Sequence, residues 1–466
     1  MKKIISVVLL LSVCLSSLLL FSSCGKKKSD DNAVNLFSEE GLLCVGRGDK
    51  YGYMDKKGKE VIPCKYTDAE AFENGYAVVQ ETEDGPYYYI KPNGSRLMET
   101  PFYRAQNFDS QGRAVVKRSE KGKAELIDKS GKVYLTAKSI FSSDNGLYLY
   151  KDDADLWGVA NKSGKTLLTP SYDDLDFVYD LKDDGKNATE TVNKDRLIAT
   201  RKLSSGSAYY LIDLDGEEYY SVTGQYSKIY SYIVDGNMLA YKDGEETGTA
   251  YVISKSGKAV ATVENVSSIF GLCKYGLLLK IGEDVYKMID YKGKALVENI
   301  KATGFTPYDL DWNGDLLAYL KLNEAGDRKY GILNAKNGET VIPVEYDDLE
   351  SADGNDLFLA KKGDSFLVLN RKGKTVFTKT CDNLVSLGNP NSPYYVSVYN
   401  QENASSFELL DTKGQTVKTF GTVYSRIVNY YDDGFLLCRE KESGNYVFLN
   451  KKLEPLGSAI YDEIVR

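Results

Sequence analysis

From Leu42 onward the apolar residues come in short runs, broken by polar, glycine-bearing segments at a nearly regular interval. The stretch YGYMDKKGKEVIPCKY at 51–66 shows the unit: an apolar strand, an Asp-Lys-Lys-Gly turn and a second strand. Asp or Asn at the first turn position can cap the turn with its own side chain, and Gly at the last supplies a left-handed residue that suits the twist of a hairpin. Variants follow as ELIDKSGKV (125–133), VANKSGKTL (159–167), LIDLDGEEY (211–219), VISKSGKAV (252–260), MIDYKGKAL (288–296), NAKNGETV (334–341), VLNRKGKTV (368–376) and LLDTKGQTV (409–417). IKPNGSR at 90–96 is a weaker copy. The turn glycines Gly58, Gly94, Gly131, Gly164, Gly216, Gly257, Gly293, Gly338, Gly373 and Gly414 lie 33 to 52 residues apart, on average about 40. An eleventh copy, VFLNKKLEPLG, carries Leu453 where glycine is expected. A left-handed leucine is strained, which predicts a turn built differently there.

Each unit has a second half. An aromatic-acidic segment such as YTDAEAF (66–72), YDDLDF (172–177), YDDLE (346–350) or YDEI (461–464) is followed by an apolar strand such as GYAVVQ (75–80) or GLLLKI (276–281). That makes about four short strands per unit and almost no helical period, the pattern of propeller blades or a related β-array. The predicted fold is all-β, with about eleven units arranged as two propellers, one large ring or an open curved array. The chain ends in a third-strand segment, SAIYDEIVR, and begins with a strand at Leu42–Val45 that has no such partner before it, so the two ends can complete one unit and hide an edge.

The aromatic-Gly pairs Tyr51-Gly52, Trp157-Gly158 and Tyr330-Gly331, with the proline strands Val61-Ile62-Pro63 and Val341-Ile342-Pro343, resemble the WG-containing bacterial repeat. The resemblance covers roughly 41–466. It implies a repeat scaffold, often in envelope or secreted proteins, with no shared catalytic residues and no defined ligand.

The N-terminus carries a different signal. Lys2 and Lys3 precede an apolar run from Ile4 to Phe21, then Ser22-Ser23-Cys24. This three-part form is that of a secretory signal, and small residues before the cysteine make it resemble a bacterial lipoprotein signal. The resemblance implies a signal peptide at 1–23 and lipid attachment at Cys24, although Phe21 stands where leucine is usual. The polar, aperiodic residues 24–40 read as a flexible tether, and 41–466 as the repeat array. Gly25, and Asp30 and Asp31 near the cysteine, point to an outer-membrane lipoprotein, with similarity to surface-export signals of Bacteroidetes.

Composition narrows the chemistry. The chain holds no histidine, which excludes His-based triads and HExxH zinc sites. A net charge of −8 without a basic cluster in the folded part argues against nucleic acid as a partner. Beyond Cys14 and Cys24, the cysteines Cys44, Cys64, Cys273, Cys381 and Cys438 are odd in number, without CxxC spacing, and read as small apolar strand residues. Asp55, Asp128, Asp213, Asp290 and Asp411 share one turn position, which explains them without catalysis. Asp309, Asp311 and Asn313 in DLDWNGD have the alternating oxygens of a calcium loop, but Leu320 stands where the bidentate Glu belongs. Calcium is thus the one cofactor to consider. Asp173-Asp174, Asp347-Asp348 and Glu217-Glu218 are adjacent rather than convergent, unlike a glycosidase pair. The tyrosine pairs, such as Tyr209-Tyr210 and Tyr219-Tyr220, are expected to place one ring inward and one outward. The functional expectation is a non-enzymatic, lipid-anchored envelope scaffold that binds a protein or another envelope macromolecule. The alternative is a carbohydrate-binding or carboxylate-based carbohydrate-active protein. Departures from the repeat, at 180–195 and 309–315, are where a site is expected.

Overall fold

The computed structural model describes residues 35–466 apart from 144, 184–187, 226, 245–246, 274–275, 306–315, 324, 353–356, 388–393, 402–403 and 459. The hairpin turn forms as its chemistry dictates. The Asp55 carboxylate accepts the backbone N–H groups of Lys57 and Lys59, each at 2.9 Å, and Gly58 sits at φ 79°. Asp213, Asp290 and Asp411 repeat the same pair of bonds. The eleventh turn overturns the expectation for it. Leu453 adopts φ 60° in a turn of the same construction, with Asn450 accepting from Lys452 and Glu454. The leucine is tolerated because its side chain is 7% exposed, in a cluster with Phe420, Tyr424 and Leu436.

The aromatic-Gly and proline motifs prove to be two halves of one feature. Tyr51 pairs with Tyr66 and Tyr53 with Ile62, so residues 63–65 bulge opposite Gly52. A Cβ on Gly52 would lie 2.5 Å from the Ile62 carbonyl oxygen. Gly158 meets Leu168 at 2.5 Å and Gly331 meets Ile342 at 2.7 Å in the same way. Trp157 pairs with Tyr172 and Tyr330 with Tyr346 across equivalent bulges. The proline lies in the bulge, where its missing N–H breaks no ladder bond.

Among the described residues there are ten sheets and no helix. Most are four-stranded meanders in chain order, such as Ser139–Ser142, Leu147–Lys151, Trp157–Asn161 and Thr166–Tyr172. One nine-stranded sheet joins two units, so the ten sheets carry eleven blades. The first blade is completed by the end of the chain: Glu463–Val465 pairs antiparallel with Leu42–Arg47, Val45 opposite Ile464. The ends therefore close as the sequence predicts.

Eleven core clusters decide among the three arrangements. Each lies between consecutive blades, from Tyr53 and Ile62 against Ala77 and Val79 at the first junction to Leu409 against Leu436 at the tenth. The eleventh joins Tyr431, Leu437 and Phe448 of the last blade to Leu43, Val45 and Met54 of the first. Two propellers would require junctions between blades distant in sequence. The clusters instead run once around, blade to next blade, and return to the start, which is a single ring of eleven blades.

Two further readings are corrected. Residues 35–40, assigned to the tether, are docked: Leu36 and Phe37 are 2% and 3% exposed, and their N–H groups donate to the Asp433 carboxylate at 3.1 and 3.2 Å. The segment packs on Phe435, with the Phe37 and Phe435 rings 4.9 Å apart. The one-in, one-out expectation fails for Tyr209-Tyr210, both half-buried, and for Tyr394-Tyr395, where Tyr395 is buried toward the ninth blade and half-buried Tyr394 packs toward the eleventh. A blade is covered on both faces, so Tyr209 packs toward the sixth blade and Tyr210 toward the fourth. Cys44 and Cys438 are buried strand residues with thiol pKa values pushed up by burial, and Cys44, Cys64, Cys381 and Cys438 are all unpaired.

Candidate binding site

The regular pattern breaks between the fifth and sixth blades. The strands Asp174–Asp183 and Ala188–Leu203 form a hairpin that outruns its neighbours. Its first strand pairs in parallel with Tyr232–Val234 of the next blade, Asp180 opposite Ile233, and fuses the two blades into one sheet. The Tyr179 N–H donates to the Ser231 carbonyl at 2.7 Å, and the Tyr179 and Tyr232 rings lie 5.9 Å apart. The segment at 180–195, expected as an insertion, is thus largely strand.

A wide bulge divides this hairpin. Phe177 pairs with Leu197 and Tyr179 with Val192, so residues 193–196 stand opposite Val178 alone. Asn193, 7% exposed, anchors the bulge by donating to the Asp180 carboxylate at 2.7 Å and accepting the Asp195 N–H at 2.8 Å. The bulge turns Lys194, Asp195 and Arg196 toward the turn Asp213-Leu214-Asp215 and Lys255 of the sixth blade, enclosing a cleft of about 350 Å³. Arg196 forms one wall. Its guanidinium lies 3.8 Å from the Tyr219 ring centroid, and Nε donates to the Lys255 carbonyl at 2.7 Å. Arg113 makes the same bracket at the third junction, over Tyr134 at 4.0 Å and to the Lys162 carbonyl at 2.9 Å. The bracket is therefore a recurrent blade staple; the bulge residues are what this junction adds. Asp213 is held below the ordinary carboxylate range: desolvation opposes the shift, and the N–H groups of Glu217 and Asp215 outweigh it.

A second cleft of about 350 Å³ lies between the same blades and is lined by Tyr220, Ser221, Val222, Thr223, Lys242 and Tyr251. On the first strand of the fifth blade, Asp174 and Asp176 share one face. Partial desolvation, then the charge of Asp174, raises the Asp176 pKa against the opposing pull of Lys228, although its side chain keeps contact with solvent.

The residues singled out from sequence are dispersed. Asp55, Asp128, Asp213, Asp290 and Asp411 cap separate turns. Asp173 and Asp347 accept the N–H groups of Lys202 at 2.9 Å and Gly363 at 2.7 Å, which ties the aromatic-acidic segment to a turn of its own blade. Asp382 does the same for Asn400 at 2.6 Å, and Asp462 for Gly48 at 3.1 Å. Among the described residues no three acidic or cysteine side chains gather to hold a metal ion. Cys24 and the calcium candidates Asp309, Asp311 and Asn313 lie outside the described residues. The departure at 180–195 reaches the first cleft through Lys194 and Asp195, while the second cleft lies outside both segments singled out from sequence. The other signal for the clefts is the 52-residue interval between Gly164 and Gly216, the longest in the array.

A family model for the WG containing repeat matches residues 51–83, 157–181 and 330–365. No curated protein matches the chain. Among solved structures, the chain is similar to one described as a eukaryotic initiation factor, at 10% identity and TM-score 0.39, covering 82% of this chain and 95% of that one. It is also similar to BamB from Moraxella catarrhalis (11% identity, TM-score 0.27, 83% and 95% covered) and to Kluyveromyces lactis Hsv2 (10%, 0.29, 59% and 93%). Ring closure rests on the chain's own pairing rather than on these likenesses. The three matched segments are the copies in which the aromatic-Gly pair and the proline bulge are both present, so the chain carries WG-containing β-repeats at these three places.

Proposed function

We propose that this protein is a lipid-anchored binding scaffold of the bacterial cell envelope, which docks an envelope protein through its fifth and sixth blades. A β-repeat array suits binding in general, since it presents a large surface on a rigid frame. The observation that carries the finer reading is the long hairpin Asp174–Leu203. It is the one unit with a described hairpin extended past the repeat, and its anchored bulge turns charged side chains to solvent. The reading takes the protein as non-enzymatic and tethered to the outer membrane through Cys24.

The test uses a soluble fragment, residues 35–466, as bait against detergent-solubilised envelope. A second bait has residues 182–189 replaced by Asn-Gly, a turn suited to a two-residue hairpin. Capture of a defined protein by the first bait and its loss with the second is the expected result. Equal capture by both removes the hairpin from the interface. Palmitate labelling of the full chain that persists in Cys24→Ala would sink the anchor. A carbohydrate-binding reading is favoured by one observation, the Tyr220–Tyr251 cleft. A glycan panel on the same fragment decides it.

A further inference from the structure

The second cleft between the fifth and sixth blades differs from its counterparts in a way that points to a ligand. Register defines the comparison. Tyr251 lies six positions before its turn glycine, Gly257, as Tyr88 lies before Gly94, Tyr210 before Gly216 and Glu408 before Gly414. In each of those other blades the position is occupied by an intramolecular partner. The Arg96 guanidinium covers Tyr88 at 3.7 Å, and Arg201 lies over Tyr210 at 5.4 Å. Glu408 is bound by Lys379 at 2.9 Å, with Ser397 and Tyr399 donating to the same carboxylate at 3.3 and 3.2 Å.

Tyr251 has no such cover among the described residues. Its ring packs on the edge of the apolar cluster between the two blades and makes one ring–ring contact among the described residues, with Tyr220 at 6.4 Å and a tilt of 55°. The place held by Lys379 at the ninth blade, six positions past Gly373, is held in the fifth blade by Val222, six past Gly216. No ion pair can fill this groove from that side. What lines it instead is Lys242, exposed and with no carboxylate paired to it among the described residues, and the exposed Ser221 and Thr223. Lys242 stands opposite Thr249 in its ladder, so its cross-strand neighbour brings no charge.

We propose that this cleft binds an acidic oligosaccharide. A sugar ring offers C–H groups to an aromatic face and hydroxyls at its rim. Tyr220 and Tyr251 supply the aromatic wall, their phenols supply hydrogen bonds, and Lys242 supplies the counter-charge for a uronate carboxylate. The strands hold these groups in place: Tyr251 is paired with Ala240 on one side and Thr262 on the other, and Tyr220 with Leu211. The site is therefore formed before ligand arrives, which lowers the cost of binding. The proposal rests on the general reading of the array as a binding scaffold. It is independent of the hairpin interface and of the lipid anchor.

The experiment titrates the 35–466 fragment with a galacturonic acid tetramer, and with maltotetraose as the neutral control, by calorimetry at low and high salt. Saturable binding of the acidic tetramer, weakened by salt, is expected. Lys242→Gln should weaken the acidic tetramer tenfold or more and leave maltotetraose unchanged. Tyr251→Ala should weaken both. Lys379→Gln, in the filled groove, should change neither. If Tyr251→Ala does not fold, Lys242→Gln carries the test alone, because that side chain is exposed. Absence of saturable binding by the acidic tetramer overturns the proposal, and so does tetramer affinity unchanged in Lys242→Gln. Tetramer binding that survives replacement of residues 182–189, while envelope capture is lost, separates this site from the docking hairpin. The converse outcome sinks the glycan site alone.

Discussion

Leu453 offers a direct measure of how tertiary packing overrides a local rule. Its left-handed backbone, φ 60°, costs a non-glycine residue about 1–2 kcal/mol. Its side chain is 7% exposed and packs with Phe420, Tyr424, Leu436 and Leu449. Truncating a leucine so buried costs roughly 2–5 kcal/mol, which exceeds the backbone strain and explains why leucine is tolerated. Two variants separate the terms. Leu453→Ala removes the packing and keeps the strain, a net loss of about 3 kcal/mol. Leu453→Gly removes both, so about 1 kcal/mol of that loss returns. The order of stability is therefore Leu, then Gly, then Ala, with glycine above alanine, the opposite of their order in an ordinary strand or helix. Hydrogen exchange at the amides of Leu436–Glu440 in the same blade reads the local free energy without requiring the whole ring to unfold in one step. An alanine variant at least as protected as the glycine variant would refute a left-handed residue 453. A glycine variant equal to the natural chain would refute the packing term.

Other outcomes follow from the same physics. Gly52→Ala puts a methyl against the Ile62 carbonyl and should lower the thermal midpoint, at a cost of about 1–3 kcal/mol; an unchanged midpoint would mean that the proline bulge yields freely. Starting the chain at residue 39 removes Leu36, Phe37 and the bonds to Asp433, a loss of about 3 kcal/mol, seen as faster proteolysis at the closure between first and last blades. The raised folded pKa of Asp176 means that ionisation costs stability above that pKa, and the cost vanishes below the unfolded value near ~3.9. Asp176→Asn should therefore raise the midpoint at pH 7 and give no gain at pH 3. Asp128 is the opposite case: desolvation opposes the shift, but bonds from Ser130, Lys132 and Tyr134 hold it down to about 2. Its contribution is present above ~3.9 and lost as pH falls through about 2, so Asp128→Ala should lower the midpoint at pH 7 and lose that effect at pH 2.

Much of this fold was legible along the chain because its determinants are local. An Asp or Asn, two polar residues and a glycine set a turn through bonds spanning four residues, so Asp55, Asp290 and Asp411 were readable one turn at a time. Counting those turns also counts the blades. Closure was legible because the strand segments at the two ends complement one another, as Val45 and Ile464 do. Even the coupling of Gly52 to Pro63 leaves a trace, since both recur at fixed spacing, although only the ladder shows that one makes room for the other.

Contacts between units decided the rest. Whether eleven blades form one ring or two depends on which blade packs on which, and all the junctions use the same kinds of apolar residue. The parallel pairing of Asp180 with Ile233 joins segments that no local pattern connects. The second cleft arises from what a neighbouring blade fails to supply: Glu408 and Tyr251 stand at the same place in their repeats, and only Glu408 is met from the blade before it, by Lys379. Sequence by itself determined the turns, the strands, their number and the complementary ends, because those rest on bonds and sterics within a few residues. Tertiary structure alone decided the single ring, the left-handed Leu453 and the open groove at Lys242, because each depends on packing or desolvation by residues far away in the chain.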